Sequence, residues 1–301
     1  MVFSFKKEVR DLNRFRQILL VLFEEGFGYL LDRTRLKREI PLKSRIKQKQ
    51  AKKKTPPEVR LRLTLERLGP TFIKLGQLLS IRPDLLPKEY IKELGKLQDK
   101  VKEFPFELVE KEIKKEFGKD ISGIFSSFDK KPIASASISQ VHKARLKTGE
   151  IVAVKIQRPK VREIMETDID IMFHIARTIE KYMPELRKYG LVRIVEEFSK
   201  WTNDELNFKI EARNAKRFRK NFSGSRIVRI PKIYDDYTRE RIIVMEFIDG
   251  IELHNVEEIK RKKLDFDKII KNGFDVILTS VFVHGFFHAD PHPGNILVMK
   301  N

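Results

Sequence analysis

VHGFFHADPHPGNILV, residues 283 to 298, decides how this 301-residue chain is read. Within it, His288-Ala289-Asp290 precedes Asn295 in the spacing H-x-D-x-x-x-x-N. Pro291, Pro293 and Gly294 make the segment a stiff loop rather than a helix, because proline removes a backbone donor and glycine favours turns. A carboxylate on such a loop can orient a hydroxyl or take its proton, and the amide of Asn295 can hold a divalent cation. The apolar run after Asn295 reads as a short strand. A rival reading gathers His284, His288, Asp290 and His292 into a metal cluster, with His284 and His288 on one face of a helical turn. No glutamate there completes an H-E-x-x-H arrangement, and a metal cluster leaves Lys155 and Glu211 without a role.

Working outward, IVAVKIQRP at residues 151 to 159 alternates with the period of a strand. That period puts Ala153 and Lys155 on one face and Val152, Val154 and Ile156 on the other. A small residue beside a nucleotide base, with a lysine two positions on for the phosphates, is the arrangement of a kinase lysine strand. Residues 201 to 218, WTNDELNFKIEARNAKRF, read as a helix with Thr202 and Glu205 as a capping box and Asn207 and Glu211 on one face. Glu211, deep in that helix, is the acid expected to hold Lys155. RIIVMEFIDG, residues 241 to 250, reads as a strand running into a turn. Backbone groups of Glu246, Phe247 and Ile248 are expected to meet the adenine. The H-x-D-x-x-x-x-N spacing is itself that of a kinase catalytic loop. The expected fold is therefore α+β: a two-lobed, protein-kinase-like fold behind a helical N-terminal extension. The boundaries expected are 1–118 for the extension, 119–250 for the small lobe and hinge, and 251–301 for the start of a large lobe. Beta-like runs are predicted at 151–156, 227–234 and 241–247.

The first 40 residues look helical, with Phe15, Ile18, Leu19 and Leu22 at helical spacing; the stripe suits a membrane-surface helix or internal packing. Pro56-Pro57 stops one helix and starts another. In GPTFIKLGQLLSIRPDLLP, Pro70 opens a helix whose Phe72, Leu75 and Leu79 share a side, while Gly76 permits a close approach. The net charge is +20, and the first 60 residues hold 17 Lys+Arg against 7 Asp+Glu. KSRIKQKQAKKK, residues 43 to 54, carries no acid; it suits a solvated linker, an anionic membrane surface or an acidic partner. No nucleic-acid module accompanies it, and nucleic acid is not an expected partner. The absence of cysteine excludes disulfides, thiolate metal sites and a cysteine nucleophile. No apolar run reaches the roughly 18 residues of a spanning helix.

Four segments in this order resemble the UbiB family of atypical, protein-kinase-like proteins, also called aarF-domain-containing or ADCK kinases. Lys74 to Gln77 (KLGQ) is similar to the family's K-x-G-Q signature, and PIASASISQVH at 132–142 to its alanine-rich nucleotide loop. ELNFKIEARNA at 205–215 is similar to its acidic helix, and FFHADPHPGN at 286–295 to its catalytic loop. The resemblance implies ATP and Mg²⁺ as cofactors. Lys155 would contact phosphates and pair with Glu211, Asp290 would be the catalytic-loop aspartate, and Asn295 a Mg²⁺ ligand. Ala134, Ser135, Ala136, Ser137, Ile138 and Ser139 would replace a glycine-rich loop. Lys74, Gly76 and Gln77 would lie over the active site as a regulatory helix, with Glu205 as the expected partner of Lys74. The implied function is an atypical kinase or ATPase supporting isoprenoid-quinone or related lipid metabolism; the alternative is a non-catalytic nucleotide-binding scaffold. The implied partners are ATP or ADP, an anionic membrane surface or lipid, and a protein of a lipid-biosynthesis complex. The implied location is cytoplasmic, peripheral at the inner membrane face.

Two departures from the family pattern stand out. The acidic helix usually reads E-x-D, whereas here Glu205-Leu206-Asn207 lacks the second carboxylate. The sequence also ends before any D-F-G segment, whose aspartate holds Mg²⁺. It reads as a piece of a longer enzyme, expected not to turn over alone and to expose apolar surface where further helices dock.

Overall fold

The computed structural model describes residues 5–34, 36–39, 55–97, 102–288 and 293–299. The chain divides into two compact units. The first takes residues 1–102, 136–138 and 158–204; the second takes 103–135, 139–157 and 205–301.

In the first unit, proline and glycine set the helix breaks. Pro57 and Pro70 each open a helix, Pro57–Leu68 and Pro70–Ser80, where a missing N–H costs nothing. Gly69 joins the two helices at φ 97°, which a side chain would resist. The Phe5–Leu22, Lys88–Leu94, Val161–Tyr182 and Leu191–Glu205 helices also belong to the unit. Ile18, Leu65, Leu68, Phe72, Leu94, Met172 and Phe198 are buried together as its core. Ile18 and Leu19 are fully buried, so the N-terminal apolar stripe packs inside its own unit. Arg14 braces this core. Its Nε and Nη2 donate to the two carboxylate oxygens of Asp168 at 2.7 and 3.0 Å, and Nη2 also donates to the Leu68 carbonyl at 2.6 Å. Asp168 is buried, and this bidentate partner offsets the cost of taking its charge out of water.

The second unit is built on an antiparallel sheet. Its strands are β1 (Phe125–Phe128), β2 (Ala134–Ser135), β3 (Ser139–Leu146), β4 (Ile151–Gln157) and β5 (Ile242–Glu246). The order is β1-β3-β4-β5, with β2 also paired to β3. Lys155 of β4 stands opposite Val141 of β3 and Ile243 of β5. Val152, Val154 and Ile156 form a core with Ile242 and Val244 and with Val109 and Ile113 of the Phe106–Phe117 helix. One face of β4 is thus sealed by apolar packing, and Ala153 and Lys155 belong to the other.

The strand expected at 227–234 does not form; only Ile233 bridges to Met245. Pro231 cannot donate to a ladder, and Glu246 occupies the adjacent Lys232 N–H with its side chain at 3.1 Å. Beyond β5, β6 (Ile251–Glu252) pairs with β7 (Leu297–Val298). The Phe266–Leu278 helix has no buried residue, and Phe274, Phe282 and Val283 stand exposed.

Candidate functional site

Lys155 Nζ donates to both carboxylate oxygens of Glu211, at 2.9 and 2.8 Å. It also lies 4.9 Å from the centre of the buried Phe208 ring, a cation–π arrangement. Glu211 sits in the first turn of the Phe208–Asn221 helix. The chain entering that helix is fixed by backbone and amide groups: Gln157 Nε2 donates to the Leu206 carbonyl at 2.9 Å, and Phe208 N–H donates to Glu240 O at 2.9 Å.

This entry corrects the reading of residues 201–218 as one helix. Leu191–Glu205 ends before Leu206, and Asn207 starts the next helix as its cap, its side-chain oxygen accepting from Lys209 N–H at 3.1 Å. Thr202 lies in the last turn of the first helix, so Thr202 and Glu205 form no capping box. Asn207 is extended, at φ −115°, and shares no helix face with Glu211. The break is forced by the burial of Leu206 and by the preference of asparagine for caps over helix interiors.

The alanine-rich segment divides between the units. Ala134 and Ser135 form β2 against Val141 and Gln140. Ala136 to Ile138 belong to the first unit, where Arg158 holds them: its Nη2 donates to Ala136 O at 3.2 Å and its N–H to Ile138 O at 2.7 Å. Ser137, Ile138 and Ser139 are buried, whereas Ala134 is exposed.

At the end of β5, Glu246 N–H donates to Lys232 O at 2.8 Å and Phe247 N–H donates to Ile151 O at 3.2 Å. Among the described residues the Ile248 N–H donates to no protein acceptor, so of the three expected hinge amides only that one is left for a base. Burial alone would raise the Glu246 carboxyl, but the Lys232 N–H and the Arg229 and Arg219 guanidinium groups hold it below the usual carboxylate range. Ala153, opposite Met245, is buried on the Lys155 face.

Asn295 closes a short Pro293–Asn295 turn directly before β7. The Leu253 N–H donates to Ile296 O at 3.0 Å, which ties that turn to the strand pair. Gly250 is required there, since a Cβ would come within 2.9 Å of Leu297 Cβ. Asp290 and His292 lie outside the described residues. Among the described residues, no group of three His, Asp or Glu is placed to hold a metal.

In the first unit, Lys74 is 3% exposed, with Nζ 5.4 Å from the centre of the Trp201 ring. Gln77 Nε2 donates to Leu97 O at 3.5 Å, a long contact. Gly76 faces leucines: a Cβ there would clash with Leu97 Cδ1 and come within 2.8 Å of Leu65 Cδ1. Its close approach is therefore helix-on-helix packing. Glu205 ends the helix that carries Trp201, one turn further on.

One cluster was missed from the sequence. His142 is fully buried between the Phe106 and Phe128 rings. Its Nδ1–H donates to Asp129 O at 2.8 Å, which leaves Nε2 to accept from Gln140 Nε2 at 2.9 Å. Burial pushes the imidazole below its usual pKa. Gln140 reaches on to the Phe104 backbone, accepting its N–H at 3.1 Å. The signal lay in β3 itself, where Gln140 and His142 are two polar residues two apart, on one strand face.

A protein-kinase-like, mixed α/β fold with a helical N-terminal extension is the class these elements define. The comparisons agree. The profile of the ABC1 atypical kinase-like domain matches residues 96–301. A protein named "Probable protein kinase UbiB" from Pseudomonas paraeruginosa (strain DSM 24068 / PA7) is 45% identical over 239 residues, covering 79% of this chain and 45% of its own. One of the same name from Aliivibrio fischeri (strain ATCC 700601 / ES114) is 38% identical over 292 residues, covering 96% and 54%. The solved complex of Rv3197 with erythromycin from Mycobacterium tuberculosis aligns with a TM-score of 0.54 at 27% identity, over 78% of this chain and 59% of that one. The chain belongs to the UbiB/ABC1 atypical-kinase family. It spans about half the length of the curated relatives it matches. Among the described residues no helix is long and apolar enough to cross a membrane.

Proposed function

We propose that this chain carries the nucleotide-binding part of a Mg²⁺-dependent atypical kinase or ATPase that serves isoprenoid-quinone or related lipid metabolism. The observation that supports this most is the Lys155–Glu211 ion pair on the open face of β4, beside the small Ala153. A lysine held by a carboxylate presents a fixed ammonium to phosphate oxygens, and the unbonded Ile248 N–H suits an adenine acceptor. Bound Mg²⁺ would neutralise phosphate charge. Asn295 would be one of its ligands, and Asp290 would orient the attacking hydroxyl or water. Lys74 and Gln77 of the helical extension would be regulatory, with Glu205 as the partner of Lys74, and Gly76 would let their helix pack closely on its neighbours. The lipid pathway rests on family membership. The basic run at 43–54, outside the described residues, would meet an anionic lipid surface or a partner of a lipid-biosynthesis complex.

A second reading, nucleotide binding without turnover, has one observation in its favour. Asn207 is used as a helix cap where the family carries an acid, so a carboxylate is missing from the site. Calorimetric titration of the chain with Mg²⁺–ATP tests what both readings share: saturable binding, weakened by Lys155→Met. Absence of binding would remove both. Phosphate release by a longer protein containing this segment, with and without Asp290→Asn, separates the two; equal rates would take the catalytic role from Asp290.

A further inference from the structure

The polar pair buried in β3 forms a directed chain of hydrogen bonds in which each atom's role is fixed. The Phe104 N–H can only donate, so Gln140 presents Oε1 to it, at 3.1 Å. That turns Gln140 Nε2 toward the Phe104 carbonyl, at 3.4 Å, and toward His142 Nε2, at 2.9 Å. His142 Nε2 is therefore bare, and the ring proton sits on Nδ1, where the Asp129 carbonyl accepts it at 2.8 Å. Gln140 is 1% exposed and His142 fully buried, so the chain is shut off from bulk water. Its two ends fix backbone that is distant in sequence. Phe104 leads into the Phe106–Phe117 helix, and Asp129 follows β1. Both are tied to the start of β3, which the alanine-rich segment runs into and where Gln140 is also the partner of Ser135 in β2.

We propose that Gln140 and His142 form a proton-sensitive clasp and are positioning residues for the alanine-rich segment, closed while His142 is neutral and opened by a proton taken up on Nε2. The role of that segment rests on the nucleotide-site reading; the clasp itself does not. A protonated ring sets Nε2–H against the Gln140 amide NH₂, donor to donor. Turning the Gln140 amide over satisfies the ring but sets the NH₂ against the Phe104 N–H, which leaves that buried donor without its acceptor. No arrangement of this glutamine serves both neighbours, so protonation releases one end of the clasp. The charged groups facing the ring are Glu103 before Phe104 and Asp129 beyond β1; both favour the proton, and burial outweighs them. Lys130, with Nζ 5.8 Å from the centre of the Phe106 ring, disfavours it. The Phe106–Phe117 helix turns Phe106 to the imidazole while its Glu107 and Glu110 are exposed, and β4 places Val154 opposite. Because the ring's folded-state pKa is depressed, the clasp is closed above that pKa and opens as pH falls through it.

The test is amide hydrogen exchange of the purified chain without nucleotide, across a pH range in which NMR of the His142 ring follows its titration. Each rate is divided by the intrinsic rate at that pH. The Phe104 amide is expected to lose protection by about tenfold as the ring protonates, the size of one buried hydrogen bond, while the amides of Val152 and Val244 keep theirs. His142→Phe removes the proton site, and its Phe104 protection is expected to be flat with pH. Gln140→Glu is expected to stay closed in acid and to raise the ring's titration midpoint, because a carboxylate accepts from the Phe104 N–H and from the protonated ring together. If Gln140→Glu does not fold, His142→Phe carries the test. Phe104 protection that is constant while the ring titrates, that falls equally in His142→Phe, or that falls only together with β4 and β5 would overturn the inference. Mg²⁺–ATP titrated at the same pH values is expected to bind more weakly in acid to the wild type than to His142→Phe; equal weakening would take the positioning role from the clasp. Absence of Mg²⁺–ATP binding at every pH would instead fail the nucleotide reading, while the exchange rates, measured without nucleotide, still decide the clasp.

Discussion

Lys155 and Glu211 come from sequence positions 56 apart, yet both carboxylate oxygens of the acid lie within 2.9 Å of the ammonium. Their side chains are 24% and 40% exposed, so solvent screens the pair and its contribution to folding is below about 1 kcal/mol. On the proposed nucleotide reading its contribution to a ligand would be larger, because a charged hydrogen bond to phosphate would lose its fixed donor. Glu211→Gln should leave the urea midpoint almost unchanged while weakening Mg²⁺–ATP binding about tenfold. A large loss of stability with unaltered affinity would make the pair a structural brace.

Gly76 offers a test with a sign opposite to helix propensity. Alanine in a helix interior ordinarily gains about 1 kcal/mol over glycine. Here the added methyl meets Leu97 and Leu65, so Gly76→Ala should destabilise the chain by roughly 1–3 kcal/mol in denaturant melts. A stabilised variant would show that those leucines repack freely.

His142 predicts a pH dependence. Burial, the strongest influence on the ring, depresses its folded-state pKa below that of an ordinary histidine. The unfolded chain therefore takes up the proton first as pH falls. The contribution of the neutral ring is complete above about pH 6.5 and is lost as pH drops through the folded pKa. Urea midpoints measured from pH 7.5 to pH 5 should decline for the wild type and decline less for His142→Phe, whose ring suits the Phe106–Phe128 pocket. Parallel curves would show that other groups set the acid sensitivity.

The sequence exposed the site's ends better than its middle. Strand alternation at 151–157 sufficed to place Lys155 opposite the apolar face, and Pro57 and Pro70 marked helix starts, because these depend on local periodicity and on φ alone. The break at Leu206–Asn207 was hidden: its cause is burial of Leu206 and a bond from Gln157, 49 positions away. The approach of Leu65, Leu94 and Leu97 to Gly76 and the grip of Arg158 on Ala136 and Ile138 are likewise tertiary facts. A glycine in a helix announces closeness but not what comes close. The strand misread at 227–234 had the right composition, and Pro231 was the overlooked objection.

The most direct measurement uses an ATP acyl phosphate, whose acyl group passes to a lysine amine lying beside the bound phosphates, with ATP as the leaving group. Peptide mass spectrometry then reports which lysine of the chain is acylated. The account predicts labelling at Lys155, suppressed by excess Mg²⁺–ATP and diminished in Glu211→Gln. Labelling spread over surface lysines, with Lys155 unmodified and no protection by Mg²⁺–ATP, would contradict it.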